Sequence, residues 1–143
     1  MRILLSLLGG LHSALYRATK GRIGGSMRKA PVLLLTTKGR KTGKVRTTPL
    51  LYGRDGENVV VVASVGGAPH HPAWFHNLKG HKAQVQIGKD QWKVKAREAE
   101  GQERERLWAQ MVGIWPKYAE YQQKTTRRIP VVVLERASSP PAP

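Results

Sequence analysis

The chain has no cysteine. That excludes disulfide staples, a thiol nucleophile and thiolate-bound metals, and it suits a reducing compartment. Acids are missing from a long stretch as well. The first 54 residues carry twelve Lys or Arg and no Asp or Glu, and the first acid is Asp55. The apolar run from Ile3 to Leu11 falls well short of the ~20 residues that cross a bilayer. Phe75 is the single Phe. The remaining aromatics gather in helical and loop segments rather than alternating along a strand, which argues against a sheet that stacks nucleic-acid bases.

What is present points to a folded, basic domain. The 143 residues are 40% apolar, enough for one domain with a sizeable core. Twenty-five Lys and Arg against nine acids give a net charge of +16. A balance of that sign predicts an anionic partner. Because residues 1–54 hold no acid, the anion-facing surface is expected from the first third of the chain.

The chain opens with Leu4, Leu7, Leu8, Leu11, Leu15 and Ala18 at helical spacing, beside Arg2, Arg17 and Lys20. This amphipathic helix fits either the protein's own core or an anionic membrane surface. A signal peptide is a third reading, weakened by the absence of a small-residue cleavage site. A Gly-rich link, residues 21–25, follows. Short strand runs are expected at 31–37, 45–52, 58–64, 83–88, 91–98 and 129–135. Pro49 marks an edge strand or bulge. Asp55-Gly56 marks a hairpin turn. Short helices are expected at 72–80 and 101–126, the second broken at Pro116. The expected fold is mainly β (α+β): a six-stranded antiparallel split β-barrel with peripheral helices. Its organisation reads as an N-terminal helix and link (1–25), a barrel domain (26–136) and a Pro-rich disordered tail (137–143).

Three clusters carry candidate chemistry. The segment TTKGRKTGKVRTTP, residues 36–49, holds five bases and two glycines. Its spacing is not that of a phosphate-binding P-loop, and a strand follows rather than a helix. Even so, Gly39 and Gly43 let backbone N–H groups approach an anion. Arg40, Lys41, Lys44 and Arg46 add charge, and Thr42, Thr47 and Thr48 add hydroxyls. The second cluster, ASVGGAPHHPAWFHNL, ends a strand at Ser64 and then supplies two glycines, Trp74, Phe75 and Asn77. The third, WPKYAEY, repeats Trp115, Tyr118 and Tyr121 every three residues and makes a wall for a flat ligand. Each has a plain structural alternative: a solvated turn, an ordinary loop over the core, and core aromatics. His70, His71 and His76 lie too far from any acid in sequence to suggest a metal site, and none is expected.

Taken together, LLLTTKGRKTGKVRTTPLLY, VVASVGGAPHHPAWFHNL, AQVQIG and WPKYAEY…IPVVVLE resemble the deazaflavin-dependent nitroreductase family, specifically its quinone-reductase-like branch. The resemblance covers about residues 12–135. It implies a split barrel of actinobacterial type that uses reduced coenzyme F420. Carried over by matched positions, Arg40, Lys41, Thr42 and Arg46 meet the coenzyme's anionic arm. Thr47, Thr48, Pro49, Leu50 and Leu51 line the next part of the groove. Val62, Ala63, Ser64 and Val65 border the ring, and Ala73, Trp74, Phe75, His76 and Asn77 close the site. Ser64 and Tyr118 are the implied catalytic hydroxyls, with Trp115 and Tyr121 completing the acceptor pocket and Tyr118 also touching the coenzyme. Leu51, Val65 and Trp115 depart from the family pattern, which leaves the acceptor open among quinones, enones and nitro compounds. The resemblance also implies a cytoplasmic protein, peripheral on the inner membrane face and able to form a homodimer, with no specific nucleic acid as partner. Two alternatives stand beside it: a split barrel that binds FMN, and a basic nucleic-acid-binding barrel.

Overall fold

The computed structural model describes residues 26–27, 30–79 and 81–137. The expected N-terminal helix and the tail beyond residue 137 lie outside the described residues. Eight strands form one sheet: β1 (Ser26–Met27), β2 (Ala30–Lys38), β3 (Val45–Leu51), β4 (Gly53–Asp55), β5 (Asn58–Val62), β6 (Ala83–Ile87), β7 (Asp90–Glu98) and β8 (Val131–Arg136). Three α-helices accompany them: α1 (Ala73–Asn77), α2 (Gly101–Ile114) and α3 (Lys117–Gln123). A 3₁₀ turn spans Val65–Gly67.

Every ladder is antiparallel. The sheet runs β1-β2-β6-β7-β8-β5-β4, with β3 also paired to β2. One end of the sheet is therefore β3 and the other is β4. Tyr52 alone separates them in sequence, so the sheet has to curl until its ends meet. Tyr52 is buried in the barrel, and its N–H donates to the Pro31 carbonyl at 3.2 Å. Among the described residues no ladder joins β3 to β5. The barrel is split along that line, as the sequence suggested.

Two apolar layers follow from the period-2 alternation of strand side chains. Leu33, Leu35, Val59, Val61, Val85, Val94 and Leu134 fill the barrel interior, closed off by Trp74, Phe75 and Leu78. Val60, Val62, Val131 and Val133 point to the opposite face and pack on Leu107 and Met111 of α2 and Tyr118 of α3. The NVVVV run has no polar alternation because both of its faces are covered.

The structure adds two short strands, β1 and β4, to the six expected. β5 stops at Val62, two residues earlier than the sequence suggested, because the chain turns out of the sheet at Ser64. Pro49 sits in β3, whose partner strand is β2 alone, so its missing N–H leaves no ladder bond unmade. Pro116 divides the long helix: Trp115 is extended at φ −139° and ψ 90°, and α3 begins at Lys117. Arg104, which reads as a surface position, is buried. Its Nη1 donates to the Ile129 carbonyl at 2.7 Å, and its guanidinium lies over the Trp108 ring.

Candidate active site

The split of the barrel opens into a slot of about 370 Å³, within the usual range for small-molecule sites. One wall is β3, with Thr48, Pro49, Leu50 and Leu51. The facing wall is the end of β5 and the turn after it, with Val62, Ser64 and Val65. Val32 of β2, Pro72, Trp74 of α1 and Tyr118 of α3 complete the lining. Most of this surface is apolar, and the hydroxyls of Thr48, Ser64 and Tyr118 are set into it. Burial pushes the Tyr118 phenol well above its ordinary range, with the neighbouring Tyr121 adding to the shift. The group therefore stays protonated at physiological pH and offers an O–H donor, not a base.

A positive loop adjoins the slot. The β2–β3 hairpin turns through Gly39–Lys44, where Gly39 N–H donates to Lys44 O at 2.8 Å and Gly43 N–H to Gly39 O at 2.9 Å. A Cβ at Gly39 would stand 2.8 Å from Thr42 Oγ1, so a side chain there would displace the threonine. That oxygen accepts the Lys44 N–H at 3.2 Å. Arg40, Lys41, Lys44 and Arg46 are all exposed, and among the described residues none of them has a salt-bridge partner. Arg46 pairs with Thr37 across the ladder and shares one face of β3 with Thr48 and Leu50. The positive surface thus runs along β3 into the slot. Asn77 anchors the loop from the far side: its Oδ1 accepts the Arg40 N–H at 3.2 Å, and its Nδ2 donates to Thr37 Oγ1 at 3.3 Å.

The turn opposite β3 is strained. Val65 has φ 45°, followed by Gly66 at 61° and Gly67 at 87°. A β-branched residue at positive φ is a true outlier. Val65 is also 42% exposed, unusual for a large apolar side chain in this molecule. Gly67 packs directly on α3: a Cβ there would stand 2.7 Å from the Tyr121 carbonyl oxygen. Sequence reasoning missed Arg127, whose guanidinium reaches this turn from the α3–β8 connection. Nothing near Arg127 in the sequence signals the contact.

The match to known proteins settles the lineage. A family model described as F420H(2)-dependent quinone reductase matches residues 10–136. The chain belongs to this family. It is 45% identical over 132 residues to the F420H(2)-dependent quinone reductase Rv1261c of Mycobacterium tuberculosis, covering 88% of each chain. A solved F420-H2 dependent reductase, FDR-A, shares 45% identity over 73% of this chain and 94% of its own, with a TM-score of 0.67. A second solved relative, a domain-swapped dimer, shares 39% identity over 90% of this chain and 96% of its own, with a TM-score of 0.71.

The residues that the family resemblance singled out fall into three places. Thr48, Pro49, Leu50, Leu51, Val62, Ser64, Val65, Trp74 and Tyr118 meet in the slot. Arg40, Lys41, Thr42 and Arg46 stand on the exposed loop, next to Thr47, whose hydroxyl bonds Thr36 Oγ1 at 2.9 Å. The others support these two from behind. Ala63 and Phe75 are buried in the barrel core, and Ala73 is exposed at the start of α1. His76 packs edge-on to Phe75, and Asn77 is buried beneath the loop. Trp115 and Tyr121 pack against the helix-side core rather than lining the slot, and Tyr121 meets Tyr118 edge to face at 6.2 Å. Pro72, inside the second cluster, and Val32, outside every motif, also line the slot although neither was named as a site residue.

The two turn glycines give a paired test. Gly66→Ala meets nothing within 4 Å and bears only the left-handed backbone cost, about 1–2 kcal/mol. Gly67→Ala bears that cost and also drives a methyl into the α3 backbone. Urea denaturation should therefore show a clearly larger loss for Gly67→Ala; equal losses would mean that the turn does not pack on α3 as described.

Proposed function

We propose that the protein is a reductase that takes a hydride from reduced coenzyme F420 and gives it to a quinone, an enone or a nitro compound bound in the same slot. The observation that carries this reading is an acid-free cationic loop continuous with an apolar slot bearing hydroxyls. A long anionic cofactor with a flat ring needs both parts. Bound F420H2 supplies a hydride from a ring that has carbon in place of the flavin N5, which favours two-electron chemistry. Arg40, Lys41, Thr42 and Arg46 hold the anionic arm by charge-assisted hydrogen bonds. Thr47 to Leu51, Val62 to Val65 and Ala73 to Asn77 form or back the walls that orient the ring. Ser64 and Tyr118 donate O–H hydrogen bonds to the acceptor oxygen as negative charge develops on it. Trp115 and Tyr121 shape the acceptor side by backing Tyr118. The final proton comes from such a hydroxyl or from water.

Two features extend this reading. The basic, amphipathic first 25 residues place the protein at the cytoplasmic face of an anionic membrane, where quinones are dissolved. Self-association into a homodimer is supported by the solved relative that is a domain-swapped dimer. Among the described residues, no helix is long and apolar enough to cross a membrane. Co-sedimentation with phosphatidylglycerol vesicles should be strong for the full chain and largely lost without residues 1–25; equal retention would rule out this mode of attachment.

Titration with F420 should show micromolar binding at low salt, and FMN should bind more weakly. Absence of F420 binding would sink the proposal. Arg46→Ala should weaken F420 binding about fivefold, the equivalent of about 1 kcal/mol for an exposed charge contact. The difference should shrink at 1 M salt, where the screening length falls to about 3 Å.

Tyr118→Phe removes one hydroxyl and leaves the ring packing in place. It should lower kcat by about a hundredfold or more while leaving the F420 dissociation constant within about twofold. A kcat unchanged by the substitution would remove Tyr118 from the chemistry.

A further inference from the structure

Arg127 is half-buried in the connection between α3 and β8. Among the described residues it has no carboxylate partner. Desolvation holds its pKa below the ordinary arginine value, and an arginine placed there without an acid needs another reason. Its five N–H donors meet acceptors on the segment that carries Ser64 and the turn after it. Nε donates to the Ala68 carbonyl at 2.7 Å, and Nη2 donates to the Ser64 carbonyl at 2.7 Å. Nη1 donates to the Ala63 carbonyl at 3.1 Å and to His71 Nδ1 at 3.0 Å.

These acceptors bracket the strained turn. Ser64 O is the last carbonyl before Val65, and Ala68 O is the first after Gly67. One guanidinium thus holds both ends of a segment with three successive positive φ angles. Strain of that kind persists only where the surroundings over-determine it. The turn's own bonds, Gly67 N–H to Ser64 O and Ala68 N–H to Val65 O, occur in any 3₁₀ turn and do not select a strained Val65. The planar fork of Arg127 fits four acceptors arranged around it; a lysine ammonium donates from a single point and cannot reach them all.

We propose that Arg127 is the positioning residue of the slot. Its guanidinium fixes Ser64 and the Val65 turn in the conformation that lines the slot and ties them to His71, just ahead of α1. The kinetic consequence of this inference rests on the reductase reading above; the bracing itself does not. Because arginine keeps its protons, the contact to His71 requires Nδ1 to accept. The His71 proton then resides on Nε2, and the ring stays neutral. Desolvation opposes a positive charge on this ring most. Arg127 from the connection and His76 and Lys79 from α1 and its end oppose it too, and Glu98 of β7 alone among these groups favours it.

The test uses the full chain in two arms. In the wild type, nitrogen-15 NMR of the histidines should show His71 as the Nε2–H tautomer at pH 7.5, protonating only below the ordinary histidine pKa of about 6.5. A wild-type His71 protonated on Nδ1 at pH 7.5 would overturn the proposal. In the second arm, Arg127→Lys should shift His71 towards the ordinary tautomer mixture and titration. It should also lower kcat about tenfold or more while the F420 dissociation constant stays within about twofold, since Asn77 holds the cofactor loop separately. A folded Arg127→Lys protein with wild-type kcat and wild-type His71 signals would overturn it as well. If the lysine variant does not fold, the wild-type tautomer decides alone. If the wild type neither binds F420 nor reduces quinones, the reductase reading fails while the NMR arm still tests the brace.

Discussion

The single residue between β3 and β4 sets the shape of the molecule. With only Tyr52 to join them, two strands at opposite ends of one sheet are forced side by side. Curling the sheet satisfies that constraint. Among the described residues it makes no ladder between β3 and β5: β3 pairs with β2 alone, and β5 with β4 and β8. A gap is left between the edge of β3 turned away from β2 and the end of β5. It is a natural place for a ligand, bounded by rigid strands and needing no lid.

Charge is divided along the same geometry. The acids fall on the β4–β5 turn, the β6–β7 turn, α2 and its flanks, α3 and β8. Several are engaged there: Arg97 pairs with Glu103 and Glu135, and Arg106 with Asp55. Surface pairs of this kind contribute little to stability. Their larger effect is on distribution. They neutralise cations on the helix side and leave those of the β2–β3 loop without acid partners among the described residues. The surface beside the slot is therefore positive, although the cations of the loop are all exposed.

Much of this was legible in the sequence, for physical reasons that can be named. Hairpins show because Asp55-Gly56 is a turn dipeptide and because Gln84, Gln86 and Lys93 alternate with apolar neighbours. The break at Pro116 shows because proline cannot continue a helix. The family motifs show because their residues lie in contiguous stretches. β1 and β4 did not show, being too short to have a period. Arg104 drew no notice because a helix face with mixed charge looks solvated, yet its guanidinium serves the Ile129 carbonyl. Arg127 was invisible for a deeper reason. Its partners are backbone carbonyls from 59 to 64 positions away and one imidazole 56 positions away. Backbone acceptors carry no residue type, so no pattern of letters records them. Val65 hides for the same reason: positive φ is advertised by glycine or asparagine, not by a β-branched residue.

The two halves of the slot are held to one short helix by different bonds. At the C-terminal end of α1, Asn77 holds the cationic loop through Arg40 and Thr37. Just before its N-terminal end, His71 receives Arg127, which carries the Ser64 turn. Between them, Trp74 faces the slot and Phe75 is driven into the barrel core. Five residues of helix have little stability of their own, since an isolated helix needs roughly 12–15 residues to persist in water. What holds α1 is the burial of Trp74, Phe75 and Leu78 in the core. The barrel interior therefore fixes α1, and α1 fixes both the cationic loop and the Ser64 turn on the facing wall of the slot. Any change that loosens that apolar plug should disturb binding and chemistry together, whereas a change in the loop or in the turn alone should separate them.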